Sequence, residues 1–567
     1  MSIDLVRSAA QAASSICNVI TTSFGPLGRD HLIVNTANQL KVTKNGKAIM
    51  DTLYPSKQSM PSNLRLLLTE MAALEAEAGD GTSTLAIMAC AALHEVLDYT
   101  KSNRDCVYLA REFRQFRADA VIWESLVEST RSQCAKSYQQ GQNLISKESL
   151  ASVVASAICG QFPPRQERVL VQALVEWLTA CTENTRALYE AIQHAVQEAD
   201  TLIVPCAGQS PPRLLGTSSF MITRAPFYRI AAQSGSAQTQ TLTQAQFTVW
   251  SCILSPVEFR ENLTVQSSST NTLEDALAYN SRRTHAFLER MHIDAGVNVI
   301  ICTELLSKLA LEACERLGIL IVQGVNKKEA RELCLLAGID PIVDMGILYA
   351  LDLSKTMRPF IGNASSASER NLGTSTCVLL EGITSRLEPK RHMIARPMAR
   401  GQLLIFAPTL GLATEYKCAL VRAVRLARLW LEHGFHDLTY RGGCWELTLS
   451  QLLLQHYQSR QYTSYSRVLS ILHVAVRAVP LHLVRESARH VLKVAIGADY
   501  SQYQKYICLD LEDGSWSLSS SQSIGSRGEG SEFDVPLEPV ILKIRQLERL
   551  VGFLEQILRI DAVITTA

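Results

Sequence analysis

Apolar residues recur every three or four positions through both ends of this 567-residue chain, the spacing of one face of an α-helix. Residues 540–560 show this repeat and are predicted to form an amphipathic helix. Near the N-terminus the repeat consists of Leu5, Ala9, Ala13, Ile16 and Ile20. Further helices are predicted over residues 63–100, where two helices meet at a glycine turn, on to about residue 135, over 165–198 and beyond residue 400.

The middle of the chain has a different pattern. Short runs rich in β-branched residues, such as residues 247–254 and 297–302, alternate with helical stretches such as residues 305–317. Strands that alternate with helices in this way indicate an α/β module. Residues 233–243 and 515–532 are polar and of low complexity, and we expect them to be flexible loops or insertions.

A glycine turn stands between the two helices predicted over residues 63–100. Its sequence is Gly79-Asp80-Gly81-Thr82-Ser83-Thr84, followed directly by an apolar helical run. Glycines let a backbone approach a ligand closely, and the free amides of a helix N-terminus favour phosphate oxygens. Asp80 suits a Mg²⁺ ion or an attacking water. The same string also forms an ordinary turn and helix cap, so the motif alone does not decide between the two interpretations.

The composition of the chain limits the classes of function that it can have. Apolar residues make up 47% of the chain and charged residues 19%, which suits three or four domains with large buried cores and interfaces. A net charge of +1 gives no basic patch for nucleic acid or acidic lipid. The 15 cysteines are scattered without a CxxC pair, as in a cytosolic protein with reduced thiols. Neither a secretory signal nor a membrane span is evident, so we expect a cytoplasmic protein.

Short motifs in a fixed order carry a family resemblance. Besides the glycine turn, these motifs occupy residues 22–30, 42–46, 441–446, 507–510, 537–540 and 557–564. In this order and at this spacing the chain resembles the group II chaperonins, the ring-forming chaperones of archaea and the eukaryotic cytosol. The resemblance extends from about Leu5 to Ile564.

The resemblance implies an α+β multidomain chaperonin fold. A helical equatorial domain would comprise residues 1–137 and 441–567, and a small intermediate domain residues 138–205 and 371–440. An α/β apical domain would be inserted at residues 206–370. This arrangement agrees with the helical ends and the α/β middle, because phosphate-type turns at both ends require the two ends to meet.

The resemblance also implies an ATP site with Mg²⁺. Asp80 would be the metal ligand. The residues expected to bind the nucleotide are Gly25, Gly28, Asp80, Gly81, Thr82, Ser83, Thr84, Gly442, Gly443 and Asp510.

Several positions depart from the family pattern. Asn45 and Arg422 replace aspartates, Leu27 replaces a lysine, and Arg441 replaces the first of three glycines. An amide cannot take a proton or carry negative charge, so we expect weak or absent hydrolysis and assign no catalytic residue. Residues 255–289, where the family builds a lid, are short and poorly matched.

Two interpretations of the site remain open at this stage. In the first, the glycine turns still bind ATP or ADP. In the second, the glycines persist only as turns that the fold requires. Arg422 either enters the site or lies with Arg425 and Arg428 on a solvated helix face.

Altered hydrolytic positions on a preserved scaffold are typical of the divergent McKusick–Kaufman and Bardet–Biedl chaperonin-like proteins. This resemblance implies a cytoplasmic factor, also at the centrosome or basal body, that helps to assemble the BBSome for ciliary traffic. Its partners would be related chaperonin-like subunits and the cytosolic chaperonin, with BBSome subunits as clients. The alternative is a divergent, ATP-dependent subunit of the cytosolic chaperonin ring. The first interpretation is a binding protein and the second an enzyme.

Overall fold

The computed structural model divides the chain into two compact units. One unit contains residues 1–196 and 418–567, and the other contains residues 197–417. The structure describes residues 3–25, 28–34, 40–54, 62–136, 147–180, 185–208, 213–214, 218–226, 241–252, 270–343, 353–372, 375–384, 401–432, 437–440, 442–459, 463–483, 507–509, 516–518 and 537–560.

The helices follow in chain order. They are α1 (Ile3–Ser23), α2 (Gly46–Leu53), α3 (Ser62–Ala78), α4 (Thr82–Tyr99), α5 (Asn103–Ala118), α6 (Ala120–Cys134), α7 (Lys147–Ile158), α8 (Pro164–Thr179), α9 (Thr185–Gln197), α10 (Ala199–Leu202), α11 (Thr270–Ile293), α12 (Lys308–Leu317), α13 (Lys327–Ala337), α14 (Leu353–Thr356), α15 (Leu410–Glu432), α16 (Cys444–Gln458), α17 (Ser466–Leu483) and α18 (Val540–Ile557).

The strands also follow in chain order. They are β1 (His31–Val34), β2 (Leu40–Thr43), β3 (Ala135–Lys136), β4 (Ile203–Ala207), β5 (Arg213–Leu214), β6 (Phe220–Ile222), β7 (Thr241–Trp250), β8 (Val299–Cys302), β9 (Leu320–Val322), β10 (Ile361–Leu372), β11 (Ser375–Glu381), β12 (Leu403–Ala407), β13 (Leu438–Tyr440), β14 (Ile507–Leu509), β15 (Trp516–Leu518) and β16 (Leu537–Pro539).

The first unit is built mainly of helices from both ends of the chain, as the periodicity predicts. Helix α1 buries Ala9, Ala13, Ile16 and Ile20 of the predicted apolar face, and α1 packs on α4. The C-terminal helix α18 packs on α3, α4 and α5. Burial of apolar faces between these helices is the main force that holds the two ends of the chain together.

Residues 197–417 form the predicted α/β module. A six-stranded sheet has the order β6-β11-β10-β7-β8-β9. Strands β7, β8 and β9 are parallel and are connected through α11 and α12, whereas β6, β11 and β10 pair antiparallel. The strands predicted within residues 247–254 and 297–302 are thus confirmed as parts of β7 and β8.

The low-complexity stretches lie largely outside the described residues, as does the first part of the expected lid region. Residues 241–243 belong to β7, residues 516–518 to β15, and residues from 270 onward to α11. The division into equatorial, intermediate and apical domains, with the boundaries given above, stays a prediction. Within the described ranges, no helix combines the length and apolar character needed to cross a membrane.

A buried ion-pair group joins three elements of the first unit. Lys543 on α18 donates to Glu446 on α16 at 2.8 Å and lies 2.5 Å from Glu538 on β16. Lys543 is 8% exposed and Glu446 is 3% exposed. Burial alone would lower the pKa of this lysine, but the two carboxylates outweigh burial and raise it. Lys543 therefore stays charged, and the two carboxyl groups depend on it as their cation.

A buried histidine makes the packing of α16 on α17 sensitive to pH. His473 Nδ1 lies 2.9 Å from the Ser450 hydroxyl and 2.8 Å from the Ser450 carbonyl oxygen. Burial lowers the pKa of the His473 imidazole. The unfolded chain, with an ordinary histidine pKa of about 6.5, therefore binds more protons.

Because the unfolded chain binds more protons, we predict that neutral His473 contributes fully to stability above about pH 6.5. The contribution is lost as the pH falls through the folded-state pKa. In thermal melts at a series of pH values, the parent should lose more stability on acidification than His473→Gln. Identical pH dependence of the two proteins would contradict this assignment.

Candidate functional site

The glycine turn predicted from the sequence forms the start of a buried helix. Gly79 and Gly81 have φ values of +72° and +85°, which L-residues with a side chain rarely adopt. Gly81 is the N-cap of α4, and no side chain in the described part of the chain caps this helix end. Its first backbone N–H groups are thus available to an anion, and the helix dipole favours negative charge there.

A small cleft with a cavity volume of about 70 Å³ opens beside this helix end. Five of the residues that line it were singled out from the sequence: Asn45, Asp80, Thr82, Ser83 and Arg422. The lining is completed by Lys44, Gly46, Glu75, Gly79 and Gln161. Residues more than 340 positions apart in the sequence thus share one site within the first unit.

Asn45 has a structural role in addition to lining the cleft. It is the N-cap of α2, and its Oδ1 accepts from the backbone N–H of Lys47 at 2.7 Å and of Ala48 at 3.1 Å. An oxygen that already accepts two hydrogen bonds has little capacity left for a water or a metal. An aspartate could fill the same cap and also carry charge.

Arg422 lies in the cleft, so the interpretation that it belongs to a solvated helix face is wrong. The residue is only 8% exposed, and its Nη2 donates to Gln161 Oε1 at 2.5 Å. Arg425 and Arg428, on the same helix α15, donate to the carbonyl oxygens of Glu75 and Glu77. The C-terminal end of α3 thus receives two cations, as the helix dipole favours.

Glu75 is the titratable group in the cleft that sequence reasoning missed. Burial raises the pKa of its carboxyl, and the charge of Arg422 opposes this rise while that of Asp80 adds to it. Among the described residues, Glu75 Oε2 has no hydrogen-bond partner. Glu75 and Gln161 are single polar residues within or beside helices, with no local motif to distinguish them.

The other predicted nucleotide residues do not line this cleft. Gly25 and Gly443 lie near each other, because a Cβ on either would come within 4 Å of Leu483 at the end of α17. Gly28, Gly81, Thr84 and Gly442 are also absent from the lining. Asp510 and Arg441 lie outside the described residues. The roles of all these residues in nucleotide binding stay predictions.

Two carboxyl groups, those of Asp80 and Glu75, line the cleft at the predicted Mg²⁺ site. Magnesium requires near-octahedral oxygen ligands. Asp80 Oδ1 already accepts the Gly81 N–H at 2.7 Å, and the pKa of Glu75 is raised. Arg422 adds a positive charge to the same cleft. Mg²⁺ is usually held by one or two carboxylates together with substrate phosphates and waters, so Asp80 as a metal ligand stays a prediction. In the described part of the chain no group of three His, Cys, Asp or Glu residues could hold a metal.

Comparison with known proteins identifies the family. The model of the TCP-1/cpn60 chaperonin family matches residues 16–567, so the chain belongs to this family, as the motifs predict. It is 20% identical to a thermosome subunit of Methanopyrus kandleri over 99% of this chain and 92% of that protein. It is 21% identical to thermosome subunit alpha of Archaeoglobus fulgidus over 76% of this chain and 70% of that protein.

Among solved structures, the fold is similar to that of a group III chaperonin in the open state. The TM-score is 0.65 at 17% identity, and the match covers 99% of this chain and 98% of that one. At this level of identity the comparison establishes the fold alone. The predicted chaperonin fold is thereby confirmed.

Close packing at Gly79 gives a testable consequence. A Cβ there would lie 2.5 Å from the Arg422 carbonyl oxygen, and φ is +72°. We expect Gly79→Ala to destabilise the first unit by at least about 2 kcal/mol, from backbone strain plus overlap. Gly160→Ala is the matched control, because φ is +76° there but the nearest atom is 4.0 Å away. Equal shifts of both variants in denaturant unfolding would show that the contact with Arg422 is unimportant.

Proposed function

We propose that this chain is a chaperonin-like assembly factor that binds partner subunits and turns over little or no ATP. The observation that carries the proposal is the buried Arg422 guanidinium in the cleft beside the start of α4. A guanidinium at this position cannot accept the proton of an attacking water. Asn45, the second altered position in the cleft, is likewise unable to act as a base.

An exposed hairpin supports the need for a partner. Among the described residues, strands β1 and β2 pair with no strand but each other, in register from His31↔Thr43 to Val34↔Leu40. Leu32, Val34 and Val42 lie on one face and are 61%, 55% and 53% exposed. A two-stranded sheet with unpaired edges and an open apolar face is unstable alone and suits strand addition by another protein. The occupant we propose is another chaperonin-like subunit.

The hairpin can be tested by substitution. We expect the triple variant Leu32→Ser, Val34→Ser, Val42→Ser to recover several-fold less chaperonin-like subunit in affinity purification from cells, because the apolar contact is lost. The fold of the first unit should persist, since these side chains are exposed. Val121→Ser is the control, because Val121 is 75% exposed on α6, outside the hairpin. Unchanged recovery with the triple variant would exclude the hairpin as the interface.

The client we propose is the BBSome, and the location is the cytoplasm with the centrosome or basal body. This part of the proposal is supported only by the resemblance to the McKusick–Kaufman and Bardet–Biedl group. Depletion of the protein should lower the amount of assembled BBSome in sedimentation of cell extracts, and re-expression should restore it. A normal BBSome sedimentation profile after depletion would exclude the BBSome as the client.

A further inference from the structure

A pair of thiols lies between α1 and α4. Cys17 and Cys90 are free cysteines whose side chains are close enough to hydrogen-bond to each other. Ser14, one turn before Cys17 on α1, has its Oγ 3.8 Å from Cys90 Sγ. Each cysteine is 8% exposed, so the pair is buried but not sealed from solvent.

The packing of the two helices favours a covalent bond between them. Helix α1 packs on α4. Ala13 and Ala86 lie one turn before Cys17 and Cys90, and both alanines are 1% exposed. Residues four positions apart share a helix face, so these small side chains lie beside the thiols and allow the helices to approach closely. A disulfide needs this closeness, because its two Cα atoms must lie about 4.4–6.8 Å apart.

The polar neighbours of the pair stabilise a thiolate at Cys90. The hydrogen bond from Cys17 lowers the pKa of the Cys90 thiol; burial opposes this effect, and Ser14 and His94 add to it. His94 is exposed, one turn beyond Cys90 on α4, and its Nε2 lies 2.7 Å from Ser14 Oγ. The hydrogen bond with Cys90 raises the pKa of Cys17. Cys90 is therefore the thiolate of the pair and Cys17 the thiol, and the thiolate is the reactive form of cysteine.

Other buried cysteines have different surroundings. Burial raises the pKa of Cys334 to about 12, which is typical of an unreactive core thiol. At a second thiol pair, the hydrogen bond with Cys444 lowers the pKa of Cys134, but the negative charge of Glu446 opposes this effect. At Cys90 a positive imidazole charge acts in the opposite sense. The surroundings of Cys90 therefore favour a thiolate more than those of Cys134 do.

We propose that Cys17 and Cys90 are a redox site that hydrogen peroxide converts into a reversible disulfide between α1 and α4. The inference goes beyond the proposed function, because the two thiols lie outside the lining of the cleft. The disulfide would join the N-terminal helix to the helix that begins at the glycine turn. A dithiol reductant would restore the two thiols.

The reaction has two steps. The Cys90 thiolate attacks one oxygen of the peroxide, the O–O bond breaks, and the second oxygen leaves as hydroxide and takes up a proton to become water. Cys90 is then a sulfenic acid. The Cys17 sulfur attacks the Cys90 sulfur, the S–S bond forms as the S–O bond breaks, and the hydroxide leaves with the Cys17 proton as water. The two sulfurs together lose two electrons, and the peroxide gains them.

Peptide mapping of the purified full-length chain tests the proposal. The reduced protein is exposed to a series of hydrogen peroxide concentrations, the remaining thiols are blocked with N-ethylmaleimide, and the peptides are identified by mass spectrometry. We expect a cross-linked peptide that contains Cys17 and Cys90 to form at lower peroxide than is needed to oxidise the exposed Cys418. Dithiothreitol should remove the cross-link.

Three variants assign the roles of the residues. Cys17→Ser should stop the reaction at the sulfenic acid of Cys90, which dimedone traps. His94→Gln should slow alkylation of Cys90 by iodoacetamide about threefold or more, because the thiolate loses a stabilising charge. Alkylation of Cys418 in the same sample should be unchanged. Cys418→Ser is the control and should form the cross-link at the same peroxide concentration as the parent.

A folded parent chain in which Cys418 is fully oxidised while Cys17 and Cys90 remain reduced would overturn the proposal. A cross-link from either thiol to another cysteine, in place of the expected pair, would also overturn it. The parent chain alone decides both outcomes, so a variant that failed to fold would not affect them. An unchanged alkylation rate of Cys90 in folded His94→Gln would overturn the role of His94.

Discussion

The chain, purified free of other chaperonins, is expected to release phosphate from ATP at background rate. The double variant Asn45→Asp, Arg422→Asp is expected to raise that rate by roughly tenfold or more, about 1.4 kcal/mol of barrier. Both side chains line the cleft beside Asp80. Two carboxylates there could take the proton of an attacking water and add negative charge for Mg²⁺, whereas an amide and a guanidinium supply neither.

The gain should exceed the sum of the gains from the single variants, because residues that act as one catalytic unit are not additive. Asparagine and aspartate cap helices equally well, so Asn45→Asp should preserve the start of α2. Arg428→Asp is a charge-matched control on the same helix, outside the cleft. Robust Mg²⁺-dependent turnover by the parent would contradict this prediction. A folded double variant that remained at background would show that further changes block hydrolysis.

Replacing Lys543 with methionine is expected to lower the free energy of unfolding of the first unit by about 3–5 kcal/mol. The substitution leaves Glu446 and Glu538 without their cation, and Glu446 is only 3% exposed. The ion-pair group joins α16, β16 and α18, so its loss weakens the contact between distant parts of the sequence. Denaturant unfolding followed by circular dichroism measures the change.

Two further variants show whether charge is the cause. Adding Glu446→Gln and Glu538→Gln to Lys543→Met should recover part of the loss, because no buried charge remains uncompensated. Arg186→Met removes an i,i+4 pair with Glu190 in which Arg186 is 86% exposed, and it should cost less than about 1 kcal/mol. A loss of the same small size for Lys543→Met would contradict the account of this group.

Periodicity predicts most of the fold because the elements are long and their apolar faces regular. The helices α1, α3, α4 and α18 and the alternation of strands and helices in the middle follow directly from spacing. The glycine turn at the start of α4 was also predictable, since Gly79 and Gly81 occupy backbone conformations that other residues avoid.

The site was only partly predictable, because it depends on how distant helices pack. The spacing of Arg422, Arg425 and Arg428 is compatible with a solvated face, and only the packing of α15 on α3 shows that Arg422 is buried. Glu75 and Gln161 enter the cleft from separate parts of the chain. Local sequence contains no sign of their meeting.

We propose that this chaperonin-family chain works with partner subunits and does not form a folding cage by itself. The most direct test is the native mass of the purified chain, measured with and without ATP and followed by a refolding assay on a denatured client. We predict a small species that joins a larger assembly only when other chaperonin-like subunits are added. A closed ring of this chain alone that refolds the client on addition of ATP would contradict the claim.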